Sequence, residues 1–207
     1  MIFINKFYFY FSMSDTLKVK VILGSTREGR FSDKPGAWIL GGLQGKPGID
    51  AEILDLRDYP MPFFNEAETP SYKTKPYTDP AVVKWTAKIA EADAFIIIAP
   101  EYNHGYPAVL KNALDYAYQE WNNKPVAFVA YGSAMGARSV EQLRAVAVEL
   151  QMAPIRNAVH MPYDVVMAVG KGTPVADVFA PYAERVSGLV DQLAWWGRAL
   201  KAARGAK

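Results

Sequence analysis

Three short stretches carry most of this chain's capacity for chemistry. The first is Gly24-Ser25-Thr26-Arg27-Glu28-Gly29-Arg30-Phe31-Ser32. Ser25 and Ser32 bring hydroxyl donors, Arg27 and Arg30 bring guanidinium charge suited to bidentate contacts, and a helix starting near Pro35 adds the N–H groups of its first turn. That combination suits a phosphate. The stretch lacks both the Gly-Lys-Ser/Thr of a Walker loop and a Gly-x-Gly-x-x-Gly fingerprint, so taken alone it also reads as a polar connection with a solvated arginine pair. The second stretch, Pro100-Glu101-Tyr102-Asn103-His104-Gly105-Tyr106-Pro107, is dense in hydrogen-bonding groups. The third runs from Tyr131 through Gly132-Ser133-Ala134-Met135-Gly136, where two glycines let the backbone pass close to a ligand and present its N–H groups.

Composition removes several chemistries. With no cysteine among 207 residues, thiolate catalysis, Fe–S ligation, cysteine zinc sites and disulfides are excluded, as expected of a reducing cytoplasm. Two histidines, His104 and His160, exclude a histidine-rich metal site, and we expect no metal. A net charge of +2 with no basic stripe argues against a nucleic-acid partner. No stretch is long and apolar enough to span a membrane as a helix. Residues 1–16, aromatic and apolar at the start, are expected to form an extension upstream of the fold, mobile or an arm at an interface; residues 17–204 are expected to form one domain.

The elements that must position the three stretches follow from periodicity. Apolar runs predict strands over residues 18–23, 49–56, 95–99, 125–131 and 156–160, most without alternation, as in sheets covered on both faces. Helical spacing predicts helices near 35–43, 80–92, 108–117, after 138, and 182–203, with Asp79 as N-cap and Pro80 opening the second. Residues 161–181 read as loop. Residues 57–79, rich in proline and aromatics, read as a packed lid or subunit contact rather than a disordered linker. Five strands alternating with five helices give an α/β three-layer sandwich with a parallel sheet in the order 2-1-3-4-5. Strands one and three then lie side by side, and the polar loops converge at the switch point on one ligand: a phosphate at 24–32 and a planar ring between 100–105 and 131–136.

Gly24-Ser25-Thr26-Arg27, the run Pro100-Glu101-Tyr102-Asn103 with Pro107 and Leu110-Lys111-Asn112-Ala113-Leu114-Asp115, and the Gly132-Ser133-x-x-Gly136 loop resemble the NAD(P)H-dependent FMN reductase family, which includes azoreductases and quinone and chromate reductases. The resemblance spans residues 18–200. It implies a flavodoxin-like fold, bound FMN, NADPH or NADH as electron donor, a small-molecule acceptor such as a quinone or free flavin, and a homodimer or homotetramer. It places Ser25, Arg27, Arg30 and Ser32 on the FMN phosphate, Pro100, Glu101, Tyr102, Asn103 and His104 beside the ring, and Tyr131, Gly132, Ser133 and Gly136 at its polar edge. Many relatives have Ser where this chain has Arg30, which leaves that residue either a charge on the phosphate or a shaper of the loop. The ring would accept hydride and pass electrons on with ping-pong kinetics, so no catalytic acid or base is assigned. A flavin-binding electron carrier and a flavin-sensing regulator are the alternative readings.

Outside the three stretches, His160 reads as a satisfied core residue and Trp195-Trp196 as core and interface packing. Glu101, with no second carboxylate spaced to cooperate with it, reads as structural. Asp115 is placed to reach a partner subunit.

Overall fold

The computed structural model describes residues 16–206, so the expected N-terminal extension falls almost wholly outside the described residues. Five parallel strands, β1 (Leu17–Leu23), β2 (Ile49–Asp55), β3 (Ala94–Pro100), β4 (Pro125–Gly132) and β5 (Ala153–Pro162), form one sheet in the order β2-β1-β3-β4-β5. Parallel pairing demands crossovers, and the crossovers here are helical. They include α1 (Asp33–Gln44), α2 (Pro80–Glu91), α3 (Ala108–Asp115) and α4 (Ala137–Glu149).

Every residue of β3 and β4 is buried, the reason their sequences show no alternation. Neighbouring strand residues serve opposite cores. Phe95, Ile97 and Phe128 pack with Val82, Trp85, Leu110 and Leu143 from α2, α3 and α4. Ile96, Ile98 and Val129 pack with Ile39 and Leu43 of α1 and with Leu189 and Leu193 of the last helix, α7 (Ala183–Gly205). The strand order and the layers match the reading from sequence.

Local chemistry explains the boundaries. Asp79 caps α2, its Oδ1 accepting from the N–H groups of Ala81 (2.8 Å) and Val82 (3.1 Å), while Pro80 occupies a position that owes no hydrogen bond. On the buried face, Trp85 also donates its indole N–H to Ala113 O at 2.8 Å, which ties α2 to α3. β5 runs further back than expected and includes Pro154; an edge strand tolerates proline because its outer N–H groups owe nothing to the ladder, and the β4–β5 register shifts between Val126 and Phe128.

Residues 161–181 depart from the expected loop. They hold two helices, α5 (Tyr163–Gly170) and α6 (Val175–Phe179), so the helices outnumber the expected five. Val165 and Phe179 enter the core shared by α1 and α7. At eight and five residues these helices are too short for a helical period to show in the sequence.

The proline-rich segment after β2 is packed against α3. Pro62 O accepts from Asn112 Nδ2 (2.8 Å) and from the Tyr116 hydroxyl (3.0 Å), and Phe64 N donates to Asn112 Oδ1 at 2.8 Å. Phe64 and Tyr77 both meet the Tyr116 ring edge-on. Asn112 therefore anchors this segment. Phe63 and Tyr72 remain about four-fifths exposed.

Candidate active site at the carboxyl ends of the strands

Strand register brings the three polar stretches together. Leu23, the last residue of β1, lies opposite Ile98 on β3 and Asp55 on β2, and Pro100 lies opposite Tyr131 on β4. The loops leaving β1, β3 and β4 therefore open on one side of the sheet. Between them is a cleft of about 350 Å³ lined by Arg27, Gly29, Arg30 and Phe31 from the first, Pro100, Glu101 and Tyr102 from the second, and Tyr131, Gly132 and Ser133 from the third. Tyr163 and Val166 of α5 complete the wall. Sequence reasoning missed these two because it read residues 161–181 as loop; the proline before Tyr163 and the acidic Asp164 in the first turn were the available signal.

Two hydroxyl pairs join the first loop to the other two. Ser25 Oγ and Tyr102 OH share a hydrogen bond of 2.9 Å, and so do Ser32 Oγ and Tyr131 OH. Both serines are buried. Ser32 occupies the N-cap position of α1 yet makes no side-chain cap, because its hydroxyl is turned to Tyr131. Burial pushes the Tyr131 hydroxyl well above its ordinary pKa, only partly opposed by the Ser32 bond, so it stays protonated. A serine hydroxyl that accepts from tyrosine keeps its own proton free to donate.

The cations of the first loop divide sharply. The Arg30 side chain has no solvent exposure. Its Nε donates to Asp33 Oδ1 (3.0 Å), its Nη1 to Asp55 Oδ1 (2.8 Å) and to the Ser25 carbonyl, and its Nη2 to Asp55 Oδ2 (2.6 Å) and to Asp33. These are all five of its N–H groups. Burial alone would lower the Arg30 pKa, but the hydrogen bonds to Asp55 and Asp33 outweigh it and raise the value. Likewise burial would raise Asp55, yet the bonds from Arg30 and Arg57 hold it well below the usual carboxylate range. Arg27, by contrast, is exposed, with its guanidinium 5.9 Å from the centre of the Tyr102 ring and no carboxylate partner among the described residues.

The second loop is a tight turn closed by Tyr102 N to Gly105 O (2.8 Å) and Gly105 N to Tyr102 O (3.2 Å). Asn103 and His104, with φ of 49° and 77°, supply its two left-handed positions and point outward, so neither lines the cleft. His104 is held there by Arg138, whose Nη1 lies 2.8 Å from its Nδ1, and by Gln142, which donates to its carbonyl at 3.0 Å. Arg138 also forms an ion pair with Glu101, whose side chain is 2% exposed. Glu101 is thus a clamp between the second loop and α4.

In the third loop, Gly132 has φ of 153°, and a Cβ there would meet Glu101 Cβ at 3.0 Å. Gly136 sits at φ of 69°, where a Cβ would fall 2.6 Å from Tyr131 N and 2.5 Å from Ala130 Cβ. Gly136 therefore lets α4 start against β4 and does not itself line the cleft. His160 hydrogen-bonds Met135 O through Nδ1 at 3.2 Å, and Asp115 pairs with Lys111 within its own helix. Trp195 is 61% exposed and packs edge-on against Trp196, outside the core.

The residues present fit FMN. One end of the cleft offers the exposed Arg27 beside the start of α1, suited to a dianionic phosphate, while Ser25 and Ser32 lie buried behind its lining. The other end is a slot between the second and third loops, which pack so closely that a Cβ at 132 would meet Glu101, and its walls of Pro100, Tyr102, Tyr131 and Ser133 suit a planar ring.

Comparison with known proteins agrees with this geometry. The family model for NADPH-dependent FMN reductase matches residues 17–165, more than half of the chain. An NAD(P)H-dependent FMN reductase of Schizosaccharomyces pombe is 40% identical over 153 residues, covering 72% of this chain and 76% of the relative. An NADPH:quinone oxidoreductase of Arabidopsis thaliana is 36% identical over 110 residues, 51% of this chain and 53% of the relative. Among solved structures, FerB of Paracoccus denitrificans, a flavoenzyme NAD(P)H:(acceptor) oxidoreductase, superposes with a TM-score of 0.65 over 89% of this chain and 98% of its own at 23% identity, which establishes the shared fold. With the family match over residues 17–165 and the Schizosaccharomyces pombe relative, the chain belongs to the NADPH-dependent FMN reductase family.

Proposed function

We propose that this protein is an FMN-dependent oxidoreductase that takes hydride from NADPH or NADH and delivers electrons to a quinone or a free flavin. The observation that carries the reading is the convergence of the loops after β1, β3 and β4 on one cleft, inside a chain of this family. When bound, FMN supplies the redox chemistry, accepting a hydride from one substrate and releasing electrons to the next.

The chain's own residues bind and orient. Arg27 and the Ser25 and Ser32 hydroxyls hold the phosphate, with Tyr102 and Tyr131 fixing the serines through their shared hydrogen bonds. Pro100, Glu101, Tyr102, Gly132 and Ser133 border the ring, chiefly through backbone groups. Asn103, His104 and Gly136 shape the two ring loops from outside the cleft. Tyr163 and Val166 exclude water from the wall nearest α5. No side chain in the cleft has to gain or lose a proton for this chemistry.

The exposed Phe63 and Tyr72 support assembly as a homodimer or homotetramer, checked by light scattering at micromolar concentration. No described helix is long and apolar enough to cross a membrane, and a cytoplasmic setting fits a cysteine-free chain that uses pyridine nucleotide. The function is tested by following NADPH and NADH oxidation with FMN-loaded protein against a panel of quinones and flavins. Turnover dependent on both FMN and acceptor is the expected result. Flavin binding without turnover of any acceptor would turn the reading toward a carrier or sensor.

A further inference from the structure

A charge cluster with a buried arginine, Arg30, lies beside the first loop, and the chemistry of the cleft does not use it. Arg30 and Arg57 face Asp33 and Asp55, two positive and two negative groups that cancel. Asp55 is the last residue of β2, directly across from Leu23 in the sheet and one step from where the first loop begins. Its carboxylate grips both Arg30 nitrogens and also accepts from Arg57 N at 2.9 Å, capping the short helical turn at Leu56–Asp58. Arg30 in turn grips the Ser25 carbonyl. A chain of bonds therefore runs from the rigid edge of the sheet to the residue that opens the loop.

We propose that Arg30 and Asp55 are a positioning pair for the phosphate loop: Arg30 holds the loop's backbone in its binding shape, Asp55 holds Arg30, and neither touches the phosphate. The proposal rests on the reading that this loop holds the FMN phosphate. Two physical arguments support it. All five Arg30 donors are spent, so reaching a phosphate would require breaking buried charged hydrogen bonds and leaving Asp55 half-paired beside an incoming anion, a costly exchange. The cluster's neutrality also leaves recognition charge to Arg27, which carries no carboxylate partner among the described residues.

The pair predicts a sign that a direct ligand would reverse. Neutralising Asp55 in a positioning pair loosens the loop and weakens FMN binding. If Arg30 were itself a phosphate ligand, the same change would free its guanidinium and leave binding unchanged or tighter.

The experiment titrates the flavin-free full-length chain with FMN and with riboflavin, which lacks the phosphate, following flavin fluorescence. For Asp55→Asn we expect FMN affinity to fall about tenfold or more while riboflavin affinity changes by less than about threefold, so that the preference for the phosphate shrinks. Unchanged or tighter FMN binding overturns the proposal, as does an equal loss for both ligands, which would mark general destabilisation. Two measurements remain if the variant folds poorly or if the wild type shows no preference for FMN. Side-chain NMR of the unmodified protein should show the Arg30 Nε–H slow to exchange and unmoved by added inorganic phosphate. A phosphate-induced shift at Arg30 would overturn the pair. In the flavin-free state, Asp33→Asn, which removes the outer carboxylate, should speed amide exchange over residues 24–32 several-fold, and unchanged exchange would contradict the anchoring role.

Discussion

Removing the hydroxyl of Tyr131 tests whether the first and third loops are joined as the structure shows. Tyr131→Phe keeps the ring, and with it the edge-on contact to Phe31 at 4.9 Å, and deletes only the oxygen that meets Ser32 at 2.9 Å. Ser32 has no exposure and Tyr131 only 5%, so water does not replace the lost partner. A buried hydroxyl left unpaired costs about 1–3 kcal/mol, and Tyr131→Phe should destabilise the flavin-free protein by that amount. Ser32→Ala leaves the tyrosine oxygen orphaned instead and should cost a similar amount. Deleting both leaves no orphan, so the double variant should fall well short of the sum, with a coupling of about 1–2 kcal/mol. Urea unfolding of the four proteins gives the cycle directly, provided the m-values agree. Additivity within about 0.5 kcal/mol would refute the reasoning, because it would mean that the two hydroxyls do not depend on each other.

Three further outcomes follow from the same geometry. Arg27→Ala should weaken FMN binding about tenfold or more and flatten its dependence on salt, while riboflavin binding stays unchanged; an unaltered salt slope would count against Arg27 as the phosphate's cation. Gly136→Ala places a Cβ 2.6 Å from Tyr131 N at φ of 69° and should cost about 2–4 kcal/mol in chemical denaturation, against under about 1 kcal/mol for Gly170→Ala, where nothing lies within 4 Å. Burial lowers Lys124 to about 8, its Nζ donating to the Ile89 and Ala90 carbonyls. Between pH 8 and 9.5 the unfolded chain therefore binds a proton at this lysine that the folded chain has largely lost. Stability from this group should rise by about 1–2 kcal/mol across that window, and Lys124→Met should abolish the rise. A rise that persists in the variant would assign it elsewhere.

Much of this architecture could be read directly from the chain because the relevant signals are local. The unbroken apolar runs of β3 and β4, the Asp79-Pro80 start of α2 and the polar loops that follow the strands are each set by residues a few positions apart. Convergence of those loops followed from the strand order. What stayed hidden depends on partners distant in sequence. In sequence Arg30 reads either as a charge on the phosphate or as a shaper of the loop, and its partner Asp55 lies 25 positions away on another strand. The bond between Ser32 and Tyr131, 99 positions away, likewise has no local signal. The left-handed backbone of Asn103 and His104, and the exposure of both, were not legible in sequence. The two helices after β5 were concealed by their shortness, and with them the part of the wall made by Tyr163 and Val166.

The most direct test of the whole account is a paired titration of the purified, flavin-free wild-type chain with FMN and riboflavin. The account predicts saturable one-to-one binding of FMN, at least about a hundredfold tighter than riboflavin, the difference coming from charge-assisted contacts to the phosphate. Equal affinity for the two flavins, or no binding of either, would contradict it.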